Sequence, residues 1–132
     1  MKYEFTQDLL TGNSLVDSEH RHLFDAVNQL MDACSVGKGR DQIQSTVTFL
    51  NDYVIRHFQD EERLQTQAHY PNYDAHKKFH TGYRAQLAAT AQTLIQEGPT
   101  VKTLGDLNRA VATLITHIRT EDKRMAAYVQ TH

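Results

Sequence analysis

The run Asp41–Gln67, DQIQSTVTFLNDYVIRHFQDEERLQTQ, decides the fold. Its inward series is Ile43, Val47, Leu50, Val54, His57, Glu61 and Leu64, with steps that alternate between four and three residues. That alternation keeps side chains on one core-facing seam of a helix in a bundle. Pro71 closes the segment.

The same periodicity extends on both sides. Upstream, a helix is expected over about 18–36, with Leu23, Phe24, Val27, Leu30, Met31 and Cys34 as its apolar stripe. Asp17 or Ser18 can cap it, Glu19 places negative charge in its first turn, and Gly37 and Gly39 would end it. The Asp41–Gln67 run makes the second helix, over about 41–67. A third, over about 72–97, carries Tyr73, His76, His80, Tyr83, Leu87 and Leu94 inward and stops at Gly98-Pro99. A fourth, over about 101–130, turns Leu104, Leu107, Val111, Leu114, Ile118 and Met125 inward. Each spans roughly 30–40 Å. Short connections between long amphipathic helices make neighbours antiparallel, so the expected fold is all-α, an up-down-up-down antiparallel four-helix bundle. One domain is expected over 1–132, with residues 1–16 an irregular arm held by Tyr3, Phe5, Leu9 and Leu10.

Composition narrows the function. The chain has 132 residues, the size of one domain, and its net charge of -2 gives no electrostatic footprint for DNA, RNA or an anionic membrane. The longest apolar stretch, Ala110–Ile115, is itself interrupted by Thr113 and falls far short of the ~18 residues of a membrane span. The opening MKYEFTQDLL carries Glu4 and Asp8 and has no continuous apolar core, so no secretory signal is expected there. A single cysteine, Cys34, rules out an internal disulfide framework, and a reducing cytoplasm is the expected compartment. Histidine stands out: eight of 132 residues, with no tryptophan anywhere.

The placement of those histidines is informative. His57 and Glu61 hold seam positions meant for aliphatic side chains, and His76 and His80 do so on the third helix. His20 shares the face of Leu23, Phe24 and Val27, His117 adjoins Ile118, and Asp122 falls near the inward arc of the last helix. Burying five imidazoles and two carboxylates is unfavourable unless each is satisfied. A metal satisfies all of them: imidazole suits iron, zinc, copper and nickel, and carboxylates can bridge two ions. Pairs at i and i+4 (His57 with Glu61, His76 with His80) each present two ligands from one helix face. His117 and Asp122 lie five apart, about 140° around a regular helix. Either a π-type bulge brings them together, or they reach the site from two sides. His22, His69 and His132 read as surface groups, Cys34, Tyr73 and Tyr83 as core packing, and Asp60, Glu62 and Glu121 as a solvated charged face.

Taken in order, these motifs resemble those of the bacterial hemerythrins, a family of non-haem diiron proteins that bind dioxygen. The likeness rests on Val16-Asp17-Ser18-Glu19-His20-Arg21-His22-Leu23-Phe24, on His57-Phe58-Gln59-Asp60-Glu61-Glu62, on Tyr70-Pro71, on His76 to His80, and on His117-Ile118 through Asp122. It implies two iron ions joined by an oxo or hydroxo bridge. One ion would be held by His76, His80 and His117, the other by His20 and His57, with Glu61 and Asp122 bridging both. It implies that dioxygen binds at the open position of the two-histidine ion, in a pocket lined by Leu23, Phe58, Thr113, Leu114 and Ile118. Many members carry a tryptophan four residues before the last-helix histidine, where this chain has Thr113. That departure predicts easier access of water and faster autoxidation.

The resemblance implies reversible dioxygen binding for carriage, storage or delivery. Sensing of oxygen, nitric oxide or redox state through a separate partner protein is a second reading. Turnover of peroxide or nitric oxide is a third, although no inward acid or base beyond the ligand set is evident. Iron handling or zinc binding without oxygen chemistry is a fourth, and seven ligands suit two ions better than one four-coordinate zinc.

Overall fold

The computed structural model describes residues 3–36 and 40–132. Its elements are a 3-10 turn (Gln7–Leu9), α1 (Ser14–Ser35), α2 (Arg40–Ala68), α3 (Tyr73–Glu97), α4 (Val101–His117), a π-helical segment (Ile118–Asp122) and α5 (Lys123–Thr131). The segment and α5 prolong α4, so the chain makes four long helical runs packed in sequence: α1 on α2, α2 on α3, α3 on α4, with α5 returning to α2. This is a four-helix bundle. No helix among the described residues is long and apolar enough to cross a membrane.

The core follows the seams. Leu23, Leu30, Val47, Leu50, Val54, Leu87, Leu94, Leu107, Leu114 and Ile118 are buried in one continuous cluster. Fully burying an aliphatic side chain stabilises by about 1.5–3 kcal/mol, and these seams are what hold the four runs together. A smaller cluster of Val16, Tyr70 and Met125 closes one end.

Several boundaries differ from expectation for local reasons. α1 begins one turn early, because Asn13 is the cap and its side chain accepts the Val16 N–H at 3.1 Å. Asp17 faces back instead, accepting from the Thr11 N–H and hydroxyl at 2.8 Å each and from the Gly12 N–H at 3.2 Å. The irregular arm is therefore shorter than 1–16. Tyr3 and Phe5 pack on the core and Leu9 is buried within it, whereas Leu10 is exposed. The proposed stop at Gly37 and Gly39 lies outside the described residues. On α2 the inward position after Glu61 is Gln65, fully buried, while Leu64 is only half-buried. The helix ends in a Schellman turn, with His69 at φ 56°, the Tyr70 N–H on the Gln65 carbonyl at 2.9 Å, and the His69 N–H on the Thr66 carbonyl at 3.3 Å. α4 opens with a capping box between Thr100 and Thr103.

Candidate metal centre

The five histidines and two carboxylates singled out by the seams meet in the bundle interior. Exposure is 0 % for His20, His57, Glu61 and His80, 1 % for Asp122, 5 % for His76 and 6 % for His117. α1 supplies His20, α2 His57 and Glu61, and α3 His76 and His80, the i,i+4 pairs each projecting from one face. The last pair, His117 and Asp122, meets through the π turn, whose wider loop brings a five-residue spacing onto one side. Of the two arrangements open in the sequence, the bulge is the one present.

The donors form two groups that share Asp122: His76, His80, His117 and Asp122, and His20, His57, Glu61 and Asp122. Each carboxylate turns one oxygen toward each group. Asp122 Oδ1 lies 3.0 Å from both His76 Nε2 and His117 Nε2, and its Oδ2 lies 3.1 Å from His20 Nε2. Glu61 Oε1 lies 3.1 Å from His80 Nε2, and its Oε2 lies 3.5 Å from His57 Nε2 and 3.7 Å from His20 Nε2.

Several of these separations have hydrogen-bond length, yet the N–H directions miss the oxygens. Both oxygens of Glu61 and of Asp122, and the Nε2 atoms of His20, His57 and His80, have no hydrogen-bond partner at full burial. Buried polar atoms are almost always paired, so a cluster of orphaned donors at this depth is strongly unfavourable unless another species fills it, and cations between the donors answer all of them. His76 Nε2 and His117 Nε2 also converge to 2.9 Å, which suits two lone pairs aimed at one cation. The residues present fit a pair of metal ions.

The electrostatics agree. Burial opposes charge on His20 and His76, but the close approach of the Asp122 and Glu61 carboxylates lifts both imidazoles to about 9. Burial likewise opposes ionisation of Glu61, yet the surrounding His57, His20, His76 and His80 hold it well below the usual carboxylate range. Asp122 is also held low: burial and the neighbouring Glu61 charge push it up, and His117, His20 and His76 outweigh them. The cluster favours ionised carboxylates, the state a cation needs.

Behind the donors stand groups that the sequence reading placed elsewhere. His57 Nδ1 donates to Glu19 at 2.9 Å, and His80 Nδ1 donates to Glu62 at 3.0 Å. Each proton on Nδ1 leaves the opposite Nε2 as a lone pair facing the centre. Glu19 is therefore not simply a first-turn charge, and Glu62 is not simply part of a solvated face. Each directly adjoins a seam residue in sequence, Glu19 beside His20 and Glu62 beside Glu61, which was the available signal. Burial raises the Glu19 carboxyl, with His57 pulling it down. Aromatic plates fix two rings: Phe58 stacks on His80 and Phe79 on His117, each with centroids 3.8 Å apart. Gln65, one turn past Glu61, is fully buried with neither amide atom partnered, and the sequence reading passed over it.

The expected apolar pocket separates into two places. Leu23, Phe58, Leu114 and Ile118 are buried in the core, and Leu23 and Leu114 border a small apolar cavity with Tyr3, Phe24, Val27 and Val111. Thr113 is not with them. It is exposed, its hydroxyl donates to the Arg109 carbonyl at 3.0 Å, and it borders an open cleft of about 400 Å3 with Phe79, Thr116 and His117. One residue is 100° of helix, so Leu114 facing inward turns Thr113 outward. His22, His69 and His132 are exposed, outside the cluster.

A bundle whose core holds two histidine–carboxylate groups with a common aspartate is a cation-binding domain. The comparisons identify which kind. The family model described as the hemerythrin HHE cation binding domain matches residues 11–129. A bacteriohemerythrin of Pseudomonas aeruginosa is 33 % identical over 124 residues, covering 92 % of this chain and 76 % of that protein. The hemerythrin subunit alpha of Lingula reevii is 25 % identical over 120 residues, covering 91 % of this chain and 89 % of that one. The crystal structure of wild-type hemerythrin superposes with a TM-score of 0.81 at 26 % identity, covering 96 % of this chain and 97 % of that one. The chain belongs to the hemerythrin family.

Proposed function

We propose that this protein holds two non-haem iron ions and binds dioxygen reversibly, for carriage, storage or delivery. The observation that carries the reading is the pair of donor groups sharing Asp122, with each carboxylate presenting one oxygen to either side. His76, His80 and His117 would hold one ion, His20 and His57 the other, and Glu61 and Asp122 both. When bound, the iron pair supplies the electrons that dioxygen takes up and returns.

The chain's own residues do the rest. The His20–His57 group is one imidazole short of its counterpart, which leaves a position for a diatomic ligand. Leu23 lies about one turn along α1 from His20 and borders a small apolar cavity with Leu114; both are buried, so that side excludes water. Glu19 and Glu62 hold the proton on Nδ1 of His57 and His80 and so keep the ring tautomers that a metal requires.

Elemental analysis and a visible spectrum test the proposal. Two irons per chain are expected, with an absorption band that appears when the anaerobically reduced protein meets oxygen and vanishes when oxygen is withdrawn. His22→Ala and His69→Ala should keep both irons, and loss in either would refute the ligand set. One zinc per chain that iron cannot replace would overturn the diiron assignment, and a band that never reverses would overturn carriage.

A further inference from the structure

The layer one turn beyond the carboxylates is where the structure departs from an economical core. α1 runs opposite to α2 and α5 runs alongside it, so Val16, Gln65 and Met125, each about one turn from His20, Glu61 and Asp122 respectively, lie at one level of the bundle. Val16 and Met125 are fully buried and join Tyr70 in an apolar cluster that floors the site. Gln65 is as buried as they are, yet it carries a carboxamide whose Oε1 and Nε2 both lack a hydrogen-bond partner. Its backbone carbonyl is already occupied by the Tyr70 N–H at 2.9 Å, so the main chain accounts for none of the side chain's polarity.

An unbranched apolar side chain of the same length would fill this position without the penalty of burying an amide. The apolar floor offers the amide nothing. On the other side, one turn away on the same helix face, stands Glu61, beside Asp122, with all four carboxylate oxygens likewise unpartnered. A donor and an ionised acceptor pair, both desolvated and about one turn apart on one helix face, are complementary, and one water bridging them would satisfy both.

We infer that Gln65 is a positioning residue for the metal centre: its carboxamide anchors a water beneath Glu61 and Asp122 and through it donates a hydrogen bond to the carboxylates that face the ions. The hydrogen bond steadies the carboxylates in the orientation that serves both donor groups and withdraws charge from them. This role rests on the diiron reading proposed above.

Two measurements test it. The first compares iron(II) affinity, by competition with a chromogenic chelator, in the native protein and Gln65→Met, which keeps length and removes both polar atoms. Loss of a hydrogen bond behind a ligand weakens metal binding about tenfold. The metal-free Gln65→Met protein should still fold and melt close to the native one, because methionine keeps the length and packing of the position. The second uses the native protein alone: the Gln65 side-chain amide resonances should shift and gain exchange protection when zinc, a diamagnetic stand-in, is loaded. Equal affinity in Gln65→Met, or Gln65 amide resonances that ignore loading, would overturn the role, and the resonance test decides even where the variant does not fold. A native protein that takes up no iron pair would sink the diiron reading and this role with it, whereas a loaded native protein with an equally tight Gln65→Met variant sinks only the role of Gln65.

Discussion

Glu19 and Glu62 offer a graded test of how far the centre depends on the groups behind its histidines. Both accept a hydrogen bond from an imidazole Nδ1, at 2.9 Å on His57 and 3.0 Å on His80, but their side chains are 6 % and 21 % exposed respectively. Without Glu19, a metal-free His57 can carry its proton on either nitrogen. Once Nε2 serves a metal the proton must sit on Nδ1, so losing its acceptor falls mainly on the loaded state. A hydrogen bond to a charged acceptor contributes about 1.5–3 kcal/mol, and a neutral one about 0.5–1.5 kcal/mol. At about 1.4 kcal/mol per decade, Glu19→Ala should weaken metal binding roughly 10- to 100-fold, and the near-isosteric Glu19→Gln, which still accepts, about tenfold or less. Water can reach the Glu62 position, so Glu62→Gln should change affinity by only about threefold or less. Iron(II) competition titrations on the three variants, with metal-free melting temperatures alongside, give the comparison. Glu19→Ala within twofold of native, or Glu62→Gln weaker than Glu19→Ala, would refute the argument that buried Nδ1 acceptors govern the centre.

Two further outcomes follow from the cleft and from the titrating groups. Thr113→Trp should cover Phe79 and the rim of His117, stabilising the fold by up to about 2 kcal/mol if half of a tryptophan's ~200 Å2 is buried. It should also slow autoxidation of the reduced protein by limiting water; an unchanged or faster rate, followed spectrally in air, would show that this cleft is not the route. In the metal-free protein, His20 and His76 are lifted from 6.5 to about 9, so the stability they contribute is full below pH 6.5 and is lost as pH climbs through about 9. The depressed Glu61 and Asp122 act in the opposite sense, stabilising above the ordinary carboxylate range near pH 4 and losing that as pH falls. Metal uptake displaces the imidazole protons, so it should release protons at pH 7 and tighten toward pH 9. A flat metal-free melting profile between pH 6.5 and 9, or loading without proton release, would contradict the charge assignment.

The helices were legible because burial imposes a period and the sequence obeys it. Ile43, Val47, Leu50 and Val54 repeat on one face, and every side chain that interrupts the pattern with a polar group in the middle of a seam (His20, His57, Glu61, His76, His80) lies in the interior cluster. What periodicity could not convey is direction within a turn. Glu19 and Glu62 adjoin seam residues, and a step of one residue is 100° of helix, which usually means solvent. Here the neighbouring helix lies close enough for each to meet an imidazole, Glu19 buried against His57 and Glu62 half-buried against His80. Gln65 and Leu64 exchange roles for the same reason: continuing the three-four alternation selected the leucine, whereas the straight i, i+4 row from His57 through Glu61 leads to the glutamine. Thr113 enters the pocket through the family likeness rather than from its own face, which stands 100° from Leu114 and is exposed beside the cleft at His117.

The π segment explains how an aspartate five residues after His117 serves the same centre. In a regular helix Asp122 would stand about 140° away and would need a second helix to carry it back. One extra residue accommodated at Ile118–Asp122 closes that angle locally, and it leaves the apolar rows on either side in phase. Leu114 before it, Ile118 at its start and Met125 and Ala126 after it are all buried. π turns are rare and gather at functional sites, and this one is held between two well-packed rows. Asp122 is also the one residue common to both donor groups. The irregularity in the backbone therefore falls at the carboxylate common to both donor groups, which ties the local geometry of α4 to the dinuclear reading proposed for the site.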